Sequence, residues 1–79
     1  MWNQKKSPLR IEKRFEFEEY QKISIFLEKI NKLCKEKNIY PNISFGKNFV
    51  GITIFLDSEK SSQIVKDFSN QINSFYKKI

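Results

Sequence analysis

The run Leu9-Arg10-Ile11-Glu12-Lys13-Arg14-Phe15-Glu16-Phe17 alternates in polarity, and Glu18-Glu19-Tyr20 brings the alternation to an end. Leu9, Ile11, Phe15 and Phe17 share one side of a period-two pattern, with Arg10, Glu12, Arg14 and Glu16 on the other, which predicts a half-buried strand. Lys13 interrupts the apolar side, as edge strands often do to discourage stray pairing. From Glu18 the period becomes helical. Tyr20, Ile23, Phe26, Leu27, Ile30, Leu33 and Cys34 recur at i, i+3, i+4 spacing as far as Lys37. Acidic Glu18 and Glu19 suit the start of that helix, and Lys35 and Lys37 suit its end.

Working outward, Asn38 is a plausible left-handed stop for the helix. Pro41 opens an extended stretch to Phe45. Gly46-Lys47-Asn48 is expected to turn, because Gly and Asn both tolerate positive φ. Phe49 to Leu56 then reads as a strand with Val50, Ile52, Ile54 and Leu56 on one face and Phe49, Gly51, Thr53 and Phe55 on the other. A strand apolar on both sides is expected to be covered on both. Phe45 and Phe49, flanking the turn, are expected to form a cross-strand aromatic pair. A second helix is expected over 58–76, with Asp57 or Ser58 as N-cap and a buried stripe of Ile64, Val65, Phe68, Ile72, Phe75 and Ile79. Trp2 is placed to begin a short leading strand before Ser7-Pro8. The predicted architecture is a single α+β domain over 1–79, a small antiparallel β-sheet with two α-helices packed on one face.

The composition sets limits on chemistry. The 79 residues contain no His, so imidazole triads, imidazole metal ligands and switches near neutral pH are excluded. The single cysteine, Cys34, excludes an internal disulfide and a multi-cysteine zinc site, and it continues the apolar helix stripe; no metal site is expected. Net charge is +6, from 15 basic against 9 acidic residues, yet only Arg10 and Arg14 can make bidentate contacts. Thirteen lysines beside abundant Ile and Asn and no Ala read as a codon-usage bias, so a nucleic-acid partner is disfavoured. The lysines at 22, 29, 32 and 35 read as a solvated helix face. No apolar run is long enough for a membrane span and no secretory leader is evident, so the expected location is the cytoplasm.

Several motifs resemble the pterin-4a-carbinolamine dehydratase family, also known as dimerisation cofactor of hepatocyte nuclear factor. Phe15-Glu16-Phe17-Glu18-Glu19-Tyr20 is similar to its F-x-F-x-[DE]-[FY] passage from strand to helix. Asn38-Ile39-Tyr40-Pro41 lies where active members read N-H-H-P, and Val50-Gly51-Ile52-Thr53-Ile54 matches the V-x-[IV]-T-[LI] strand. Trp2 resembles the tryptophan ahead of the first family strand. The resemblance implies the dehydratase-like fold lacking the N-terminal helix of the family.

The departures fall on the chemistry. Active members of the family remove water from a 4a-hydroxy-tetrahydropterin with three histidines, whose positions here hold Ile39, Tyr40 and Asp57. Lys35 replaces the acid that opens the family motif, and Glu59-Lys60-Ser61-Ser62 replaces a glycine-containing turn. Dehydration needs one proton delivered to the leaving hydroxyl and another taken from the ring nitrogen. A solvated aspartate, near pKa 3.9, costs about 4 kcal/mol to protonate at pH 7, so Asp57 is better suited to base than to acid. Tyr40 can donate a proton; Ile39 can do neither. Asp57 also sits at a strand-to-helix junction, where Asp is a common cap.

Tyr40-Pro41-Asn42-Ile43-Ser44-Phe45-Gly46 is similar to the Y-P-[DN]-[IL]-S-F-G stretch of pterin dehydratase-like proteins associated with alpha-carboxysomes. That resemblance implies a non-catalytic, dimeric assembly factor without cofactor, with RuBisCO large subunit as its protein client and a carboxysome association. The partner-binding residues it implies are Tyr40, Pro41, Ser44, Phe45 and Phe49. The alternative is a weak 4a-hydroxytetrahydrobiopterin dehydratase in pterin recycling, using Asp57 and Tyr40.

Overall fold

The computed structural model describes residues 2–6, 9–56 and 62–79. Its elements run β1 (Asn3–Lys6), β2 (Leu9–Glu16), α1 (Tyr20–Lys37), β3 (Asn42–Phe45), β4 (Phe49–Phe55) and α2 (Ser62–Lys78). The four strands form one antiparallel sheet in the order β1-β2-β4-β3. This is the α+β arrangement the sequence predicts, with Trp2 just ahead of the leading strand.

The period-two residues of β2 and β4 form the floor of the core. Phe15 pairs with Val50, and Ile11 with Ile54. Directly opposed residues of an antiparallel pair share a face. Over that floor α1 lays Ile23, Phe26, Ile30 and Leu33, and α2 lays Val65, Phe68 and Ile72, all buried. Each such side chain stabilises the fold by roughly 1.5–3 kcal/mol relative to exposure. Phe26 meets Phe15 at 5.0 Å and Phe17 at 5.2 Å between ring centroids. Tyr76 joins them, 5.0 Å from Phe15, and its hydroxyl donates to the Glu16 carbonyl at 2.6 Å. That bond ties the last turn of α2 to the end of β2. Helix α1 stops at Asn38, which is left-handed at φ 57° and ψ 40° as expected.

Several expectations are corrected. Lys13 does not lie on an edge, because β2 pairs on both sides. Its ammonium donates to Asn73 Oδ1 of α2 at 3.0 Å and sits 4.8 Å from the Phe15 ring centroid, so the helix side tolerates a lysine. Tyr20 and Ile64, assigned to buried stripes, lie at the margins of their helices and are 53% and 61% exposed. Among the described elements only one face of β4 is covered. The other carries Arg10, Glu12, Arg14 and Glu16 from β2 beside Phe49, Gly51, Thr53 and Phe55, with Arg10–Glu12 and Arg14–Glu16 ion pairs at 2.7 and 2.8 Å.

The β3–β4 turn also works differently from expectation. Neither glycine of the chain has positive φ. Gly46 is favoured by space: a Cβ there would overlap the Phe49 ring at Cε1. Phe45 opposes Val50 and therefore faces away from Phe49, so the two do not pair. Phe49 instead lies under the Arg14 guanidinium, 4.1 Å from the ring centroid. Asp57 and Ser58, the proposed caps of α2, lie outside the described residues.

Candidate functional site

Where helix α1 unwinds at Asn38, the chain passes through Ile39 and Tyr40 before β3 begins. Pro41 favours an extended residue before it, so Tyr40 cannot continue the helix. Ile39 and Tyr40, at the positions where the resembled family carries histidines, therefore emerge side by side at the rim of the sheet. Ile39 packs against the core, whereas Tyr40 is 70% exposed.

They line a cleft of ≈ 260 Å³ whose other walls are Asn38 at the end of α1, Ile54 and Phe55 of β4, and Ile64 and Val65 of α2. Phe55 is half exposed. Phe55 and Ile64 were not expected at this site. Phe55 was legible only as the outward residue of β4, and Ile64 was assigned to the core stripe. Asp57, the third family position, lies outside the described residues. Of the named walls, Asn38 and Tyr40 alone carry polar side chains. The site offers polar and apolar surface in like measure, its polar side chains being one phenol and one amide.

The remaining partner residues distribute over both faces of β3. Ser44 opposes Gly51 on the open face, its Oγ 3.2 Å from where a Gly51 Cβ would stand. Phe49 lies on that face too, capped by Arg14. Phe45 points to the helix side beside Ile43, and 51% of it is exposed because β3 is an edge strand. Pro41 is half-buried next to Tyr40. Tyr40 and Pro41 are thus together, while Phe45 is separated from Ser44 and Phe49 by the thickness of the sheet.

Cys34 is buried, and burial pushes its thiol up while a backbone hydrogen bond opposes the shift. It is a core residue, as the helix stripe predicts. Among the described residues no group of three or more Cys, Asp or Glu is placed to hold a metal ion. No described helix is long and apolar enough to cross a membrane.

No family model matches the chain, and no curated protein is similar to it in sequence. Among solved structures it is similar to a pterin dehydratase-like protein identified as a RuBisCO assembly factor in the alpha-carboxysome. The TM-score is 0.85 at 26% identity, over 95% of this chain and 88% of that one. The ββαββα order, the Phe15-to-Tyr20 passage and this superposition agree, and the chain therefore has the pterin dehydratase-like fold and resembles that family over almost its whole length.

Proposed function

We propose that this chain is a non-catalytic, dimeric protein-binding factor whose client is RuBisCO during alpha-carboxysome assembly. The observation that carries the reading is the cleft at Tyr40. Exposed Tyr40 and Ile64 border it, Asn38 adds one exposed amide, and the chain has no imidazole to place there. Solvent-exposed apolar residues gathered at one cleft favour a macromolecular partner over proton transfer. The likeness to a solved RuBisCO assembly factor supports the choice of client.

The two sheet edges support a dimer formed through β3. The β1 edge reads Asn3-Gln4-Lys5-Lys6, the polar and charged pattern that blocks strand addition. The β3 edge reads Asn42-Ile43-Ser44-Phe45 and leaves both apolar residues exposed. A second copy pairing along β3 would cover Ile43 and Phe45. Tyr40 and Pro41 are then assigned to the client, Phe45 to the second copy, and Ser44 and Phe49 to the open face that flanks both. The client is the large subunit in this reading.

The test is co-elution of the purified chain with RuBisCO large subunit, with sedimentation of the chain alone at tens of micromolar. Binding and a dimer mass are expected; no complex overturns the client, and monomer alone overturns the dimer. A second reading, weak 4a-hydroxytetrahydrobiopterin dehydration, is favoured by the Tyr40 phenol in the cleft. Turnover above buffer in the wild type, lost in Asp57→Asn, would replace the first reading with the second.

A further inference from the structure

Helix α2 carries a polar stripe, Lys66, Asn70, Asn73 and Lys77, at i, i+4, i+7 and i+11. It borders a cleft of ≈ 590 Å³ walled on the opposite side by Trp2 and Lys13. Among the described residues, none that bears a carboxylate lines it. Lys13 is half-buried in a central strand, and among the described residues the partners of its ammonium are both neutral: Asn73 Oδ1 at 3.0 Å and the face of Phe15. The ion pairs of the described residues, Arg10–Glu12 and Arg14–Glu16, lie on the other face of the sheet. A partly desolvated ammonium without a countercharge is costly, and an anion entering the cleft would offset that cost.

Asn73 is oriented for the same purpose. Its Oδ1 accepts from both Trp2 Nε1, at 3.1 Å, and Lys13 Nζ. With its oxygen so occupied, the remaining capacity of the amide is donation from Nδ2. Asn70 adds a second amide, and Lys66 and Lys77 add two positive charges. We propose that this cleft binds a phosphate group, as inorganic phosphate or a phosphate monoester, between Lys13 and the polar stripe of α2. Phosphate fits better than a carboxylate. Planar carboxylates are best held by the arginine fork, and both arginines are engaged on the opposite face. Several ammonium and amide donors around one space suit a tetrahedral dianion with many acceptor oxygens. The site is separate from the Tyr40 cleft and does not depend on the client reading.

Trp2 is the sole tryptophan, so its indole N–H gives a single nitrogen-15 NMR cross-peak, reporting on the atom bonded to Asn73. The full chain is titrated with inorganic phosphate, and separately with glycerol phosphate, at constant ionic strength, with chloride as control. A saturating shift with either phosphate species and none with chloride is expected; which one binds tighter separates the free ion from the ester. Lys13→Met is expected to weaken binding by about tenfold, the loss of one charge-assisted contact, and Lys77→Met by about threefold. Lys32→Met, an exposed α1 lysine that changes net charge equally, is expected to change it less than twofold. Lys77→Met lies at an exposed helix end and tests the site even if Lys13→Met disturbs the sheet. A shift that fails to saturate, or Lys13→Met and Lys77→Met no weaker than Lys32→Met, overturns the proposal.

Discussion

Two of the clefts along helix α2 differ in the charge of the side chains that line them. Near the start of the helix Ile64 borders a space shared with Ile39 and Tyr40, with no charged side chain among its described walls. Nine residues on, roughly 13 Å along the axis, Asn73 faces Lys13 and Trp2 across a cationic one. The same buried stripe, Val65, Phe68 and Ile72, anchors both. The contrast comes from the residues at the margins of the stripe: isoleucine at one end, lysine and asparagine at the other. Core residues fix where the helix lies, and margin residues decide what it meets.

The strongest way to break the contrast is to remove its shared support. Phe68→Ala, at a fully buried position between the clefts, should cost about 3–5 kcal/mol. For a domain with stability of order 5 kcal/mol that leaves much of the chain unfolded. Urea unfolding followed by circular dichroism checks this, and a loss below 1 kcal/mol would show that α2 is not anchored there.

Phe45→Asp probes the edge apart from either cleft. It should shift the sedimentation profile toward monomer while leaving helicity unchanged. A dimer that persists while client binding falls would return Phe45 to the client surface. Gly46→Ala should cost about 1–3 kcal/mol, because the new methyl meets the Phe49 ring that Arg14 holds from the other side. An unchanged melting temperature would show that the ring turns away freely.

The smallest effect concerns Cys34. Burial raises the thiol in the folded state, so above the ordinary thiol value the unfolded chain ionises first. The folded chain then holds more protons than the unfolded one, and stability falls as pH rises past about 8.5. Cys34→Ala should flatten that part of the pH–stability curve, measured by urea unfolding between pH 7 and 10. An identical slope in both proteins would contradict it.

Much of the fold was legible because the hydrophobic period changes sharply, from two to 3.6, between Phe17 and Tyr20. The Asn38 stop was legible for a similar reason, since few residues take a left-handed conformation cheaply. Pairing order was not. Lys13 suggested an edge because edge strands often carry an inward lysine to discourage stray pairing, whereas here Asn73, sixty residues away, and the Phe15 ring receive its ammonium. Ile64 was misplaced because periodicity locates the centre of a stripe better than its margins. For the Tyr40 cleft, the two substituted positions could be read from the sequence. Phe55 and Ile64 could not, because their convergence depends on β4 and α2 packing together. The phosphate cleft was hidden likewise: the Lys66-to-Lys77 stripe is visible, but that it faces Lys13 and Trp2 follows from the sheet order.

The account stands on the Tyr40 cleft receiving a protein. The affinity of RuBisCO large subunit for the wild-type chain and for Tyr40→Asp tests it most directly. Binding by the wild type, weakened about tenfold or more in the folded variant, is the predicted result, since a charge placed in an apolar contact is costly. Equal affinity for the two chains would contradict it.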